Sequence, residues 1–143
     1  MSIEDNKALV RRLVDKVMND ANSAAIADLC VPDSRFALGI AGQLQSMRTA
    51  FPDNHFTIDE LLAEDALVAA RMIVRGTNSG PLVGLPAFGR MEKPVPATGQ
   101  SVLGTAIYIF KIVDGRIASL TFELDQVGLL QQLGWTFNPP SSG

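Results

Sequence analysis

The chain has 143 residues, with 15 acids, 12 Lys plus Arg, one histidine and one cysteine. That length fits one domain with a real core, and a composition 47% apolar and 19% charged argues against disorder. One cysteine excludes an internal disulfide framework or a multi-cysteine metal cluster, one histidine excludes a two-histidine metal site, and a net charge of −3 offers no field for nucleic acid or an anionic membrane.

The start, Met1-Ser2-Ile3-Glu4-Asp5, is acidic and is not followed by an apolar signal core. No apolar run approaches the roughly 20 residues that span a bilayer. The expectation is a soluble, cytoplasmic protein. In the first segment Leu9/Val10, Leu13/Val14 and Val17/Met18 recur every four residues, with Arg11, Arg12, Asp15 and Lys16 on the other face. That spacing predicts a helix, with Ser2 and Asp5 placed to cap it. Asn19-Asp20-Ala21-Asn22 breaks the pattern. A short helix is expected over 23–30, closed by Pro32, and a third over about 40–50, where Leu44, Met47 and Phe51 share a face. Phe51-Pro52-Asp53-Asn54 reads as a turn.

The period then changes. Phe56, Ile58 and Leu62 precede a turn at Glu64-Asp65. Residues 66–78 read as a long strand, with Val68, Ala70, Met72 and Val74 on one face and Arg71, Arg75 and Thr77 on the other. The stretch 79–99, rich in Gly and Pro, is expected to be mostly loop. Residues 100–113 and 116–124 form a hairpin about Asp114-Gly115. Asp125 caps a last helix over 126–133, which Gly134 ends. The fold class is α+β: helices segregated to one face of a long, strongly curved antiparallel sheet, which leaves a pocket at its open end. Residues 1–136 form the single domain expected, and 137–143 a flexible tail.

Several stretches resemble the SnoaL-like polyketide cyclases of the nuclear transport factor 2-like superfamily. Phe51-Pro52-Asp53, His55 and Thr57-Ile58 are similar to the start of that family's sheet. Arg75-Gly76-Thr77-Asn78-Ser79-Gly80 falls where it has Gly-Thr-His-x-Gly. Pro96-Ala97-Thr98-Gly99-Gln100 resembles its Pro-Pro-Thr-Gly-Arg turn. Ile107 to Ile117 resembles its final hairpin, and Asp125 to Gly134 its closing helix. The resemblance implies a cone with a deep apolar pocket, no cofactor, and a homodimer formed through the outer sheet face. Members include aldol cyclases, isomerases, epoxide hydrolases, pyran-forming cyclases and binding domains, so the fold alone does not fix the reaction.

Three family positions depart. The aldol cyclases carry an acid/base aspartate three residues before the aspartate that opens the closing helix; Phe122 stands there. Their histidine on the preceding strand falls on Tyr108, and the histidine of Gly-Thr-His on Asn78. Residues Leu85 to Val95 look inserted, and are expected to form a lid or rim beside the pocket.

Such chemistry needs a base near a carbon acid and a donor near the developing oxyanion. The candidates are few. Asp125 is a helix cap or a base. Glu123 shares a face with Asp125 and Thr121, alternating with Leu120, Phe122 and Leu124; it is a base if that face points inward and a surface acid if outward. His55 is a structural residue or a rim acid/base. Tyr108 is a packed aromatic or an oxyanion donor. Asn78 is a turn residue or a polar pocket contact. Phe122, Phe110, Met72 and Leu120 are packing residues that also suit an apolar substrate wall, and Cys30 reads as buried filler. Ile107 and Ile109 point outward on a long strand, which calls for a covering partner. The expected function is a cofactor-independent cyclase or isomerase acting by proton transfer on an apolar polycyclic, polyketide or terpenoid-like substrate. The rivals are a non-catalytic small-molecule-binding module and an epoxide-opening or pyran-forming cyclase.

Overall fold

The computed structural model describes residues 2–86 and 89–141. Ala87 and Phe88 of the expected rim segment, Ser142 and Gly143 of the expected tail, and Met1 lie outside the described residues.

Helix α1 spans Ile3–Leu13. Its first turn is closed reciprocally: the Asp5 N–H donates to Ser2 Oγ at 3.0 Å, and the Ser2 N–H donates to the Asp5 carboxylate at 3.1 Å. Leu9, Val10 and Leu13 are buried, as the four-residue period requires. The helix then widens into a π-helical stretch, Val14–Asn19, burying Val14, Val17 and Met18. Arg48 donates to the Val17 and Met18 carbonyls at 2.9 and 3.1 Å, occupying acceptors that the end of a helix leaves unpaired. Asn19 pins this stretch to the sheet: its amide accepts from the Phe56 N–H at 2.8 Å and donates to the Phe56 carbonyl at 2.9 Å.

Helix α2 covers Ala25–Leu29, and α3 covers Arg35–Ala50. Helix α3 begins well before the predicted start near 40. Ser34 caps it by accepting from the Ala37 N–H at 3.1 Å, and Phe36 and Ala37 already pack on the core. The apolar spacing over 40–50 reveals only the turns that meet the core most fully.

Strands follow: β1 His55–Glu64, β2 Leu67–Thr77, β3 Leu82–Leu85, β4 Gly89–Val95, β5 Ser101–Val113 and β6 Arg116–Leu124, then helix α4, Gln126–Gln132. Four of them form an antiparallel sheet in the order β1-β2-β5-β6. Alternation sends Val68, Ala70 and Met72 of β2 and Ala106, Tyr108, Phe110 and Ile112 of β5 into the core. In β1 the ladder with β2 shifts register between Ile58 and Glu60, so Asp59 is a bulge. The inward parity changes there: Phe56 and Ile58 face the core before it, Leu61 and Ala63 after it, and Leu62 is left exposed.

The expectation that 79–99 is mostly loop is corrected. Strands β3 and β4 pair as a separate two-stranded antiparallel hairpin. The glycines and prolines hide a shorter apolar pattern, because Leu82, Leu85, Met91 and Val95 pack on Ala50, Phe51, Val102, Leu130 and Leu133. Gly84 is needed where the strands cross, since a Cβ there would lie 2.7 Å from the Gly89 carbonyl oxygen. This second apolar cluster is separate from the main one, which joins α1, the π-helical stretch and α3 to the inner face of the four-stranded sheet.

Candidate functional site

A cavity of about 670 Å³ opens between the two clusters. It is lined by Met18, by Phe56, Val74, Tyr108 and Phe122 of the sheet, by Ile40, Leu44 and Met47 of α3, and by Val83, Gly84 and Leu85 of the hairpin. The size is that of a site for a drug-sized organic molecule, and the walls are mainly apolar. Of the segment expected to form a lid or rim, Leu85, Pro86, Gly89 and Arg90 line the cavity.

Tyr108 sits centrally on β5. Its ring stacks on Phe122 at 5.3 Å and Phe110 at 6.2 Å, each at 16°, and meets Phe56 edge-on at 6.4 Å. These contacts fix the ring plane. Among the described residues nothing hydrogen-bonds the hydroxyl, although Tyr108 is only 5% exposed and borders the cavity. Burial pushes its pKa up to about 12, so it is a proton donor to hydrogen bonds throughout the physiological range.

The other polar lining residues are Gln43 and Ser46 of α3, Asn54 from the turn before β1, Arg75 and Arg90. Arg75 occupies an outward register position between the inward-facing Val74 and Gly76, so it meets the cavity along its backbone. Among the described residues, the lining holds neither a carboxylate nor an imidazole.

The predicted acid/base candidates therefore stand apart from Tyr108. Glu123 is exposed and lies opposite Ile107 on the outer sheet face; alternation delivers Leu120, Phe122 and Leu124 to the cavity instead. Asp125 is exposed and caps α4, accepting from the Gly128 N–H at 2.9 Å. A Cβ at Gly128 would strike that carboxylate, so the cap depends on the glycine. His55 is exposed at the first position of β1, opposite Arg75.

Of the predicted wall residues, Phe122 and Leu120 line the cavity. Phe110 and Met72 are fully buried behind it and do not border it. Asn78 also lies off the lining. It is 1% exposed, with its amide used up internally: Nδ2 donates to the Ala50 carbonyl at 3.2 Å and the Gly80 carbonyl at 2.9 Å, while Oδ1 accepts from the Thr98 N–H and hydroxyl, both at 2.9 Å. It joins the end of α3 to the turn before β5. Asn54 and the β3 residues Leu82, Val83 and Gly84 were not singled out from sequence. Asn54 looked like an ordinary turn residue, and the hairpin like loop.

An α+β cone closed over an apolar cavity is the nuclear transport factor 2-like architecture. The chain belongs within it to the SnoaL-like polyketide cyclase family, whose profile matches residues 8–133. TsrD from Streptomyces laurentii superposes with a TM-score of 0.78 at 24% identity, over 94% of this chain and 98% of its own. AclR from Streptomyces galilaeus, a candidate hydroxylase, gives 0.76 at 23% identity over 97% and 87%. IdmH from Streptomyces antibioticus, a candidate polyketide cyclase, gives 0.74 at 24% identity over 91% and 99%. At these identities the likeness is one of fold. No curated protein matches. Among the described residues no cluster of side chains is suited to hold a metal ion, and no helix is long and apolar enough to cross a membrane.

Proposed function

We propose that this protein closes rings on an apolar, oxygenated, polyketide-like substrate by folding it in the cavity, with Tyr108 donating a hydrogen bond to the oxygen that gains negative charge. The observation that carries this is the cavity itself: apolar walls around one buried, unpartnered hydroxyl. Confinement supplies the orientation that an unfolded chain lacks, and a fixed donor in a mainly apolar site supplies charge stabilisation. The expected proton transfer from Asp125, Glu123 or His55 finds no support in the geometry, so in this reading the proton leaving the attacking carbon or hydroxyl passes to water, the oxyanion takes one back from water, and no side-chain base or cofactor takes part.

The test is a pH profile with two probes, a conjugated polyketide-type ester and an epoxide bearing a neighbouring hydroxyl. kcat/KM is expected to stay level from about pH 5.5 to 9, above ordinary carboxylate titration and across the usual imidazole range near 6.5. Tyr108 remains protonated over that span, since it ionises only at about 12. An inflection near pH 6–7 would put an imidazole or a raised carboxyl into the reaction and overturn the reading. The second reading, a binding module, is motivated by Phe122 at the position of the cyclase acid. Tight binding of both probes without turnover would favour it.

The outer sheet face adds a partner to the proposal. Leu62, Leu103, Ile107 and Ile109 are exposed there at 67%, 59%, 51% and 43%. A second copy of the chain is the proposed cover, because a two-fold pairing buries the same patch on both copies. Ile107→Asp is expected to convert a sedimenting dimer into a monomer at micromolar concentration. A monomeric wild-type protein would refute the pairing.

A further inference from the structure

Two polar side chains around the turn before β1, Asp53 and Asn19, are committed to the scaffold. Asp53 accepts from the Thr77 N–H at 2.7 Å and from its hydroxyl at 2.9 Å, which holds its carboxyl below the usual range. Asn19 holds both polar groups of the Phe56 backbone. The Asn54 N–H donates to the Phe51 carbonyl at 3.0 Å. Gly76 lets β2 close on the turn: a Cβ there would lie 3.0 Å from Phe51 Cβ and 3.4 Å from Asn54 Cα. The Asn54 backbone is thus fixed from both sides.

Its side chain is not engaged. Asn54 borders the cavity, yet its Nδ2 is sealed from water and has no hydrogen-bond partner among the described residues. A buried amide donor without an acceptor is unfavourable and uncommon in folded proteins. The torsion that turns a carboxamide is soft and broad, so the Asn54 amide can turn its donor toward a ligand in the cavity it borders. The cavity lining is mainly hydrocarbon, with Gln43, Ser46, Arg75, Arg90 and Tyr108 as its other polar residues, and none of them bonds Nδ2.

We infer that Asn54 is a specificity-determining residue that selects ligands carrying an acceptor oxygen, a ketone, ester or ether, at the end of the cavity next to the Phe51–Asn54 turn. The assignment rests on the proposed use of the cavity and adds a second oxygen site to that of Tyr108. The free protein keeps the donor unsatisfied, and the correct ligand supplies the missing acceptor. An analogue lacking that oxygen fits the same walls but leaves the donor unpaired.

The probes are 9-fluorenone and fluorene, planar molecules of nearly the same shape that differ by one carbonyl oxygen. Titration calorimetry is expected to show fluorenone binding about fivefold more tightly to the wild-type protein, the yield of one net hydrogen bond. Asn54→Leu should erase that preference while fluorene affinity holds within about twofold. Its thermal midpoint should not fall, because the amide makes no bond in the free protein; Asn54→Ala serves as the second variant should leucine crowd the turn. A preference that survives both Asn54 variants but vanishes in Tyr108→Phe would overturn the role of Asn54 and leave the cavity reading standing. A large drop in midpoint in both variants would mark Asn54 as structural and also overturn it. Failure of both probes to bind would remove the assignment together with the reading beneath it.

Discussion

Asn78→Ala is expected to lower the unfolding free energy by about 3–5 kcal/mol, the range for breaking a buried network and leaving its partners unpaired. The side chain closes four hydrogen bonds within a space that is 1% exposed. Alanine would strand the Ala50 and Gly80 carbonyls and the Thr98 N–H and hydroxyl. Urea denaturation should show a lower midpoint with an unchanged slope, the sign of lost stability rather than a changed denatured state. Asn78→Asp keeps the shape but turns a carboxylate oxygen toward two carbonyls, and it should cost a similar amount. A loss under about 1 kcal/mol would mean that water takes over the four bonds. The neighbouring Gly80 reinforces the point, since any Cβ there would collide with the Thr49 carbonyl oxygen.

Tyr108→Phe separates catalysis from packing. The phenylalanine retains the ring stacks with Phe122 and Phe110 and the edge contact with Phe56. It deletes only a hydroxyl with no partner among the described residues. Stability should therefore hold or rise slightly. Ring closure should slow by about 10²–10³-fold in kcat, the usual effect of losing one oxyanion donor. KM should change little, because the donor acts mainly as charge develops. An equal loss in ligand affinity with no catalytic step to lose would support the binding-module reading.

Much of this arrangement is legible in the sequence. Period-four spacing gives α1, period-two spacing gives β2 and β5, and Asp114-Gly115 marks the β5–β6 hairpin. The same alternation puts Tyr108 inward and, once Phe122 is inward, Glu123 outward. What escapes is set by contacts between distant residues. The partners of Asn78 lie 28 positions back at Ala50 and 20 positions on at Thr98, so local pattern reads only a turn residue. The bulge at Asp59 changes the inward parity of β1 without any glycine to announce it. Strands β3 and β4 are too short and too rich in glycine and proline for alternation to outweigh turn chemistry. Asn54 is missed for another reason: its significance is a hydrogen bond that the protein itself does not make.

The two apolar clusters give the cavity a further meaning. The larger unites the first helices with the four-stranded sheet; the smaller unites the β3–β4 hairpin with α4 and the end of α3. The cavity runs along the seam between them, lined from both sides. A ligand there is the mortar of that seam: its binding energy adds to the cohesion of the two halves. Most of the frame's core lies in the larger cluster, while Leu82, Leu85, Met91 and Val95 of the hairpin pack in the smaller one. New substrate shapes can therefore be accommodated by recutting one wall of the cone while the sheet and its tyrosine stay in place.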